Sequence, residues 1–122
     1  MGLLDSFLGK NKEENKDAKV NWIPLTDISQ LDDVVKASKN NKVVIFKHST
    51  RCSISASVLN KFEKKIGDSY QLYFLDLISY RDISNAIADK FNVVHQSPQA
   101  IFLENEKVVQ HDSHYGILDL TF

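Results

Sequence analysis

The chain has 122 residues, 43% of them hydrophobic and 25% charged, which suits one globular domain of ordinary size. The net charge of −1 argues against nucleic acid as a main partner, because phosphate binding needs a basic surface. No apolar run approaches the ~20 residues of a membrane span, so we expect none. The single cysteine excludes an internal disulfide and favours a reducing, cytoplasmic setting.

The first 19 residues differ in composition from the rest of the chain. Four apolar side chains fall on one face of a short helix; they are Leu3, Leu4, Phe7 and Leu8. Residues 10–19 are nearly all charged or amide, which is typical of a flexible linker. We therefore predict a short amphipathic helix and a charged linker over 1–19, followed by one folded domain over 20–122.

From residue 20 onward the hydrophobic pattern predicts five strands. They are Val20–Pro24, Val43–Phe46, Leu72–Leu75, Gln99–Leu103 and Lys107–His111. The second and third are continuous apolar runs, as expected of strands covered on both faces. The fourth and fifth flank Asn105 and Glu106, a pair that suits a hairpin turn.

Helical periodicity fills the intervals between these strands. The first helix is predicted to be capped by Thr26 or Asp27 and to run to about Asn40. The second begins near Ser53 and is predicted to end in a left-handed cap at Gly67.

A third helix, capped by Ser79, and a short terminal helix within residues 113–122 complete the pattern. The order is thus β-α-β-α-β-α-β-β-α, which requires right-handed crossovers and a parallel core. We expect an α/β fold. Its mixed central sheet combines a parallel core with a C-terminal antiparallel hairpin and is flanked by helices.

The one cysteine, Cys52, directly follows a predicted buried strand and opens a predicted helix. Such a junction favours a thiolate, because the free N–H groups and the dipole at a helix start attract an anion. The spacing to Ser55, Cys-x-x-Ser, is that of a dithiol redox motif whose second sulfur is replaced by oxygen. We predict that Cys52 is a reactive nucleophile; the alternative is a small buried core residue.

Four neighbouring residues are expected to stabilise the thiolate. Arg51 places a permanent cation beside the sulfur. The hydroxyls of Thr50, Ser53 and Ser55 can donate hydrogen bonds to it, which favours the charged form. His48 lies further back on the strand, and the sequence leaves its contact with this group open.

Pro98 follows Ser97 and enters the fourth strand. A proline at this point of a redox fold is often in the cis form. The turn then faces the thiol and leaves the backbone of Ser97 free to pair with an extended substrate. We expect Ser97 and Pro98 to bind substrate; the alternative is an ordinary proline at a strand start.

Three segments together resemble a family within the thioredoxin superfamily. They are 46–55 (FKHSTRCSIS), 95–99 (HQSPQ) and 111–117 (HDSHYGI). From about Trp22 to the C-terminus the chain is similar to the YtxJ-type monothiol bacilliredoxins. The resemblance implies a thioredoxin-like fold and an enzyme that removes bacillithiol from mixed disulfides on S-thiolated client proteins. The family usually carries Thr-Cys-Pro-Ile-Ser at the site, whereas Ser53 stands here in place of the proline and restores an N–H group.

These expectations define a monothiol exchange. Cys52 takes the small thiol as a mixed disulfide, and a second small-thiol molecule or a partner reductase must then free it. We expect bacillithiol as a co-substrate and no permanently bound cofactor. No metal is expected either, because His111 and His114 straddle a strand end and a helix start and are poorly placed for one ion.

Three other functions stay open at this point. An iron–sulfur carrier would use Cys52 from each of two subunits, although the Cys-Gly-Phe-Ser typical of such carriers is missing. A one-cysteine peroxidase would share the Ser49-x-x-Cys52 spacing, but Ile45 stands where those enzymes carry proline. The third alternative is a thioredoxin-fold adaptor with an idle cysteine.

Overall fold

A computed structural model describes residues 20–122; the predicted N-terminal helix and linker lie outside the described residues. The strands are β1 (Trp22–Pro24), β2 (Lys42–His48), β3 (Tyr70–Asp76), β4 (Gln99–Glu104) and β5 (Lys107–Ser113). The helices are α1 (Gln30–Ala37), α2 (Ser53–Lys65), α3 (Arg81–Phe91) and a terminal 3₁₀-helix (His114–Asp119). The order of strands and helices matches the order that the sequence predicts.

The five strands form one mixed sheet in the order β1-β3-β2-β4-β5. β1 and β2 both pair with β3 in parallel, while β4 runs antiparallel to β2 and β5 antiparallel to β4. The predicted parallel core with a C-terminal antiparallel hairpin is confirmed. Asn105 and Glu106 form the hairpin turn with φ values of 53° and 68°. β2 is central, which explains why it is buried continuously from Val43 to Lys47.

Each face of the sheet carries its own hydrophobic cluster. On the α2 face the cluster is rich in aromatic rings and includes Phe46, Phe62 and Phe102. On the face covered by α1 and α3 the cluster is mainly aliphatic and includes Ile45 and Ile83. Because successive side chains of a strand point to opposite faces, β2 contributes to both clusters.

The boundaries of α1 differ from the prediction. The helix begins at Gln30, several residues after the predicted cap, because the Asp27 carboxylate accepts hydrogen bonds from the Ser29 amide and hydroxyl, both at 2.8 Å. These bonds hold a turn ahead of the helix. The helix ends at Ala37 rather than near Asn40, and the Asn40 amide bonds to the Ala37 carbonyl at 3.2 Å.

The predicted left-handed cap at Gly67 is wrong. α2 ends at Lys65, Ile66 is extended with ψ of 138°, and no glycine within residues 20–122 has a positive φ. The left-handed cap lies instead at Asn92, with φ of 54°, and it closes α3.

Two predicted helix termini also change in detail. Tyr80 holds the N-cap position of α3, and the Ser79 hydroxyl donates to Asp76 Oδ2 at 3.0 Å instead of capping the helix. The terminal helix is a six-residue 3₁₀-helix, preceded by Ser113 in an extended conformation. The preceding strand therefore extends to Ser113, two residues beyond the predicted end at His111.

Candidate functional site

Cys52 lies at the junction between the central strand β2 and helix α2. β2 ends at His48, a three-residue loop follows, and Cys52 takes the N-cap position with extended backbone (φ −118°, ψ 116°). The thiol is free and half-buried. The Cys52 carbonyl accepts the first helical bond, from the Ala56 amide at 3.3 Å. The predicted placement of the cysteine at the start of a 13-residue helix is therefore found in the structure.

The Cys52 side chain makes no capping hydrogen bond to the helix amides. α2 thus directs no single side-chain-capping N–H bond to the sulfur. The half-buried cysteine is partly open to solvent, and the effect of the helix dipole on the sulfur stays a prediction.

The loop before Cys52 is held by Ser49, which is 7% exposed. Its carbonyl accepts the Cys52 amide at 3.2 Å, and its Oγ accepts the Arg51 amide at 3.3 Å. The His48 carbonyl accepts the Leu77 amide at 3.0 Å, which ties the strand end to the segment after β3. These bonds determine where the cysteine backbone lies.

Ser55 has a different role from the predicted one. It is fully buried, and its Oγ lies 2.7 Å from His48 Nδ1 and accepts the Ser49 amide at 3.1 Å. The expected hydrogen bond to the sulfur is replaced by these two contacts. The fourth residue of the Cys-x-x-Ser motif therefore clamps the loop that carries Cys52 and acts on the sulfur only indirectly.

The contact of His48 with this group, which the sequence leaves open, is thus made through Ser55. Its ring also packs against Phe74, with ring centroids 5.6 Å apart. Burial lowers the pKa of His48 below its ordinary value, partly offset by the negative charges of Asp76 and Glu63. The imidazole is therefore neutral near pH 7, as a hydrogen-bond partner of a buried hydroxyl should be.

Thr50, Arg51 and Ser53 all lie at the surface around Cys52. Their positions agree with the expected groups around a thiolate, with the Arg51 cation next in sequence to the sulfur. Their effect on the charge of the sulfur stays a prediction. Within residues 20–122 the structure shows no hydrogen bond from these side chains.

The second predicted component of the site lies at the same edge of the sheet. In the antiparallel pairing of β2 with β4, Lys47 lies opposite Gln99, so Pro98 reaches the level at which β2 ends. The Ser97–Pro98 peptide bond is cis, as predicted. Pro98 is buried, and its carbonyl accepts the His114 amide at 3.0 Å. The topology therefore brings Ser97 and Pro98 to the end of the sheet that carries Cys52.

The sequence analysis did not predict the burial of three polar residues in this region. They are Lys47, Gln99 and Ser84, each at most 1% exposed. Burial lowers the pKa of the Lys47 amine to about 8. A lysine at the end of an apolar run normally reads as the first exposed residue after a strand. One signal could have indicated its burial: Lys47 lies between Phe46 and His48 in the central strand, which is covered on both faces.

His95 joins this polar group from the segment before Pro98. Its Nδ1 lies 3.2 Å from the buried Ser84 Oγ on α3. Burial lowers the pKa of His95, and the positive charges of Lys47 and Arg81 lower it further. Both histidines of the site region, His48 and His95, are thus held in the neutral form near pH 7.

Within residues 20–122 no group of three His, Cys, Asp or Glu side chains is arranged to hold a metal ion. His111 and His114 are both exposed. In the same part of the chain no helix has the length and apolar character needed to span a bilayer.

Known structures share this architecture. A protein described as a candidate oxidoreductase with a thioredoxin fold matches with a TM-score of 0.71 and 36% identity, over 79% of this chain and 85% of that one. Thioredoxin from Trypanosoma brucei brucei matches with a TM-score of 0.61 and 15% identity, over 81% and 83%. Schistosoma mansoni thioredoxin matches with 0.60 and 20%, over 81% and 88%; these two show the fold alone.

The sheet order, the cysteine at the start of α2 and the proline entering β4 define a thiol oxidoreductase of the thioredoxin fold. The family model of the monothiol bacilliredoxin BrxC matches residues 23–121. The chain therefore belongs to the monothiol bacilliredoxin family, in agreement with the resemblance seen in its sequence motifs. Redox chemistry with thiol partners follows from this membership.

Proposed function

We propose that the protein removes bacillithiol from mixed disulfides on other proteins, with Cys52 as the nucleophile. The observation that carries the proposal is a single half-buried thiol at the N-terminus of α2, at the same end of the sheet as the Ser97–Pro98 turn, in a chain of the monothiol bacilliredoxin family. The chain has no second cysteine, so the exchange must use a thiol from outside it.

The proposed exchange conserves atoms and electrons. The Cys52 thiolate attacks the bacillithiol sulfur of the mixed disulfide, and a new S–S bond forms as the old one breaks. The electron pair leaves with the client sulfur, which takes a proton from water. A second bacillithiol thiolate, or a thiol of a reductase, then attacks the bacillithiol sulfur on Cys52 and releases the enzyme.

The surrounding residues have assigned parts in this proposal. Arg51, Thr50 and Ser53 favour the thiolate at the protein surface, while Ser55 keeps the loop in place through His48 and Ser49. The backbone of Ser97, with Pro98, receives the client segment that carries the disulfide. Bacillithiol acts as a co-substrate, no cofactor is permanently bound, and the site of action is the cytoplasm. The clients are S-thiolated proteins, and neither nucleic acid nor a membrane takes part.

The direct test uses one client protein with a single cysteine, loaded separately with bacillithiol, glutathione or cysteine as a mixed disulfide. Each form is incubated with the wild-type protein and with Cys52→Ser, and intact mass reads the adduct on each chain. We expect the bacillithiol adduct to move to the wild-type chain fastest and no transfer to Cys52→Ser. The oxygen nucleophile cannot form the mixed disulfide.

Ser57→Ala serves as the matched control, because Ser57 lies on the same helix outside the proposed site. Its transfer rates should equal those of the wild type. Transfer to Cys52→Ser would overturn the role of the cysteine. Preferential transfer of glutathione would overturn the choice of bacillithiol while leaving a thiol oxidoreductase.

A further inference from the structure

Three buried polar atoms in the described chain have no hydrogen-bond partner, and they are Lys47 Nζ, Ser97 Oγ and Gln99 Oε1. Lys47 is 0% exposed and Gln99 1% exposed. Native proteins leave few buried polar atoms unpaired, because each costs roughly 1–3 kcal/mol. Three such atoms at one functional edge therefore call for a physical explanation.

The three residues are close in the sheet pairing or along the chain, and we refer to them together as the buried compartment. Lys47 and Gln99 lie directly opposite each other in the β2–β4 pairing, so their side chains project from the same face of the sheet. The Gln99 amide Nε2 donates to the Val94 carbonyl at 2.9 Å, which places this side chain against the segment before Pro98. His95, in the same segment, feels the charge of Lys47. Residues 94–98, which we call the client turn, thus adjoin the glutamine that lies opposite Lys47.

The chemistry of the three atoms is complementary. An ammonium group offers three N–H donors and no acceptor, an amide oxygen only accepts, and a hydroxyl does both. A methionine would fill a similar volume in an aliphatic cluster without leaving a charge unpaired. Lys47 therefore lowers the stability of the fold, which points to a role in function.

We propose that Lys47 is a positioning residue for the client turn, and that its amine hydrogen-bonds Ser97 Oγ and Gln99 Oε1 when the turn receives a client. This inference rests on the proposed function and adds the group that orders its binding surface. The Lys47 side chain projects from the sheet face of Ile45, whereas Cys52 opens the helix that packs on the opposite face. The effect of Lys47 is therefore on client affinity and not on the intrinsic reactivity of Cys52.

The charged groups around the compartment allow a pH test. His95 in the client turn is coupled to Lys47, and Arg81 at the start of α3 acts on His95 in turn. Asp76 of β3 acts on its strand neighbour His48, on the opposite face of the sheet from Lys47. The neighbours of Lys47 on the adjacent strands, Leu75 and Gln99, carry no charge. Hydrogen bonds from a charged amine are the stronger ones, so client binding should weaken as the amine loses its proton.

The central experiment compares Lys47→Met with Lys42→Met, its matched control at the exposed far end of the same strand. Steady-state kinetics use a bacillithiol-loaded client protein, and iodoacetamide reports the reactivity of Cys52 alone. We expect Lys47→Met to raise KM at least about fivefold, the equivalent of one lost hydrogen bond, with kcat and the alkylation rate within about twofold of wild type. Lys42→Met should match the wild type in all three quantities.

Two further variants separate positioning from a structural role. Lys47→Arg keeps the charge and the donors, so it should restore KM and should abolish the rise in KM that we expect of the wild type above about pH 8. In the Lys47→Met background, Ser97→Ala should cause no additional rise in KM, because the two groups act through one hydrogen bond. If Lys47→Met fails to fold, the pH dependence of KM in Lys47→Arg decides whether the inference holds.

An unchanged KM in Lys47→Met, or additive effects with Ser97→Ala, would overturn the inference. Slower alkylation of Cys52 in Lys47→Met would also count against it, because the residue would then act on the nucleophile. A wild-type protein that reacts with no mixed disulfide overturns the proposed function and this inference together. A reactive wild type with an unaffected Lys47→Met variant overturns the inference alone.

Discussion

The two faces of the sheet differ in the kinds of side chain that pack on them. On the α2 face, aromatic rings pack around Phe62. The Phe46 and Phe122 rings lie tilted against it with centroids at 5.2 Å and 5.1 Å, and Trp22 stacks on it at 6.1 Å. The face covered by α1 and α3 is aliphatic and also contains the polar side chains of Lys47, Ser84 and Gln99.

This difference between the two faces parallels the two parts of the proposed site, the cysteine and the client turn. Cys52 opens the helix that packs on the aromatic face, where the Trp22 indole additionally donates to Glu63 Oε2 on α2 at 2.6 Å. Large buried rings with fixed contacts hold that helix rigidly. The client turn of our proposal instead adjoins Gln99, on the face whose buried polar atoms are unpaired. In the proposed function the nucleophile thus rests on a well-packed face, and the turn that receives the client adjoins a face with unused hydrogen-bonding capacity.

The largest expected effect breaks the aromatic face. Phe62→Ala removes a fully buried ring at the centre of the cluster and should lower the free energy of unfolding by about 3–5 kcal/mol. Urea unfolding followed by circular dichroism measures this loss. Ile54→Ala, on the same helix but 36% exposed, should change the free energy by less than about 1 kcal/mol. A comparable loss in both variants would contradict the central position assigned to Phe62.

The next effect has the opposite sign and tests the other face. Lys47→Met should stabilise the fold at pH 7 by up to about 3 kcal/mol, because the folded state holds the amine at a pKa of about 8 against an ordinary 10.5. Between these two values the unfolded wild-type chain binds the extra proton. Its stability therefore rises with pH, and the gap to Lys47→Met should close from about pH 8 to 10.5. A gap that stays constant with pH would exclude this explanation.

A smaller effect is expected at the junction between strand β2 and helix α2. Ser55→Ala leaves the buried Ser49 amide without its acceptor and His48 without its partner, so it should cost about 1–2 kcal/mol of stability. Alkylation of Cys52 should change as well, because the loop that places the sulfur is released. Ser57→Ala provides the control on the same helix. Normal alkylation in Ser55→Ala would show that Ser49 and the helix hold the loop without this hydroxyl.

The smallest effect concerns the end of α3, on the face of Lys47. Asn92 has φ of 54°, a conformation in which a Cβ without a local polar partner is disfavoured. Asn92→Ala should therefore cost about 1 kcal/mol, whereas Asn92→Gly should be neutral or slightly stabilising. Thermal unfolding of the two variants measures the difference. Equal melting temperatures would mean that the helix end adjusts to the substitution.

Local patterns were sufficient for the order of elements and for much of the site. The apolar runs at Val43–Phe46 and Leu72–Leu75 predicted two covered strands, and the structure extends both by a few residues. The polar segment around Cys52 predicted a thiol at a helix start. These features depend on residues close together in sequence, so periodicity and helix-capping preferences are enough to find them.

The sequence by itself thus determined the fold class, the family, the cysteine and the Ser97–Pro98 turn. Only the tertiary structure decided that Ser55 binds His48 and Ser49 rather than the sulfur, and that Lys47 is buried opposite Gln99. The reason is physical. The hydrogen-bond partner of a hydroxyl depends on chain segments that are far apart in sequence and that only the folded sheet brings together. The same holds for the solvent exposure of a lysine at the end of a strand.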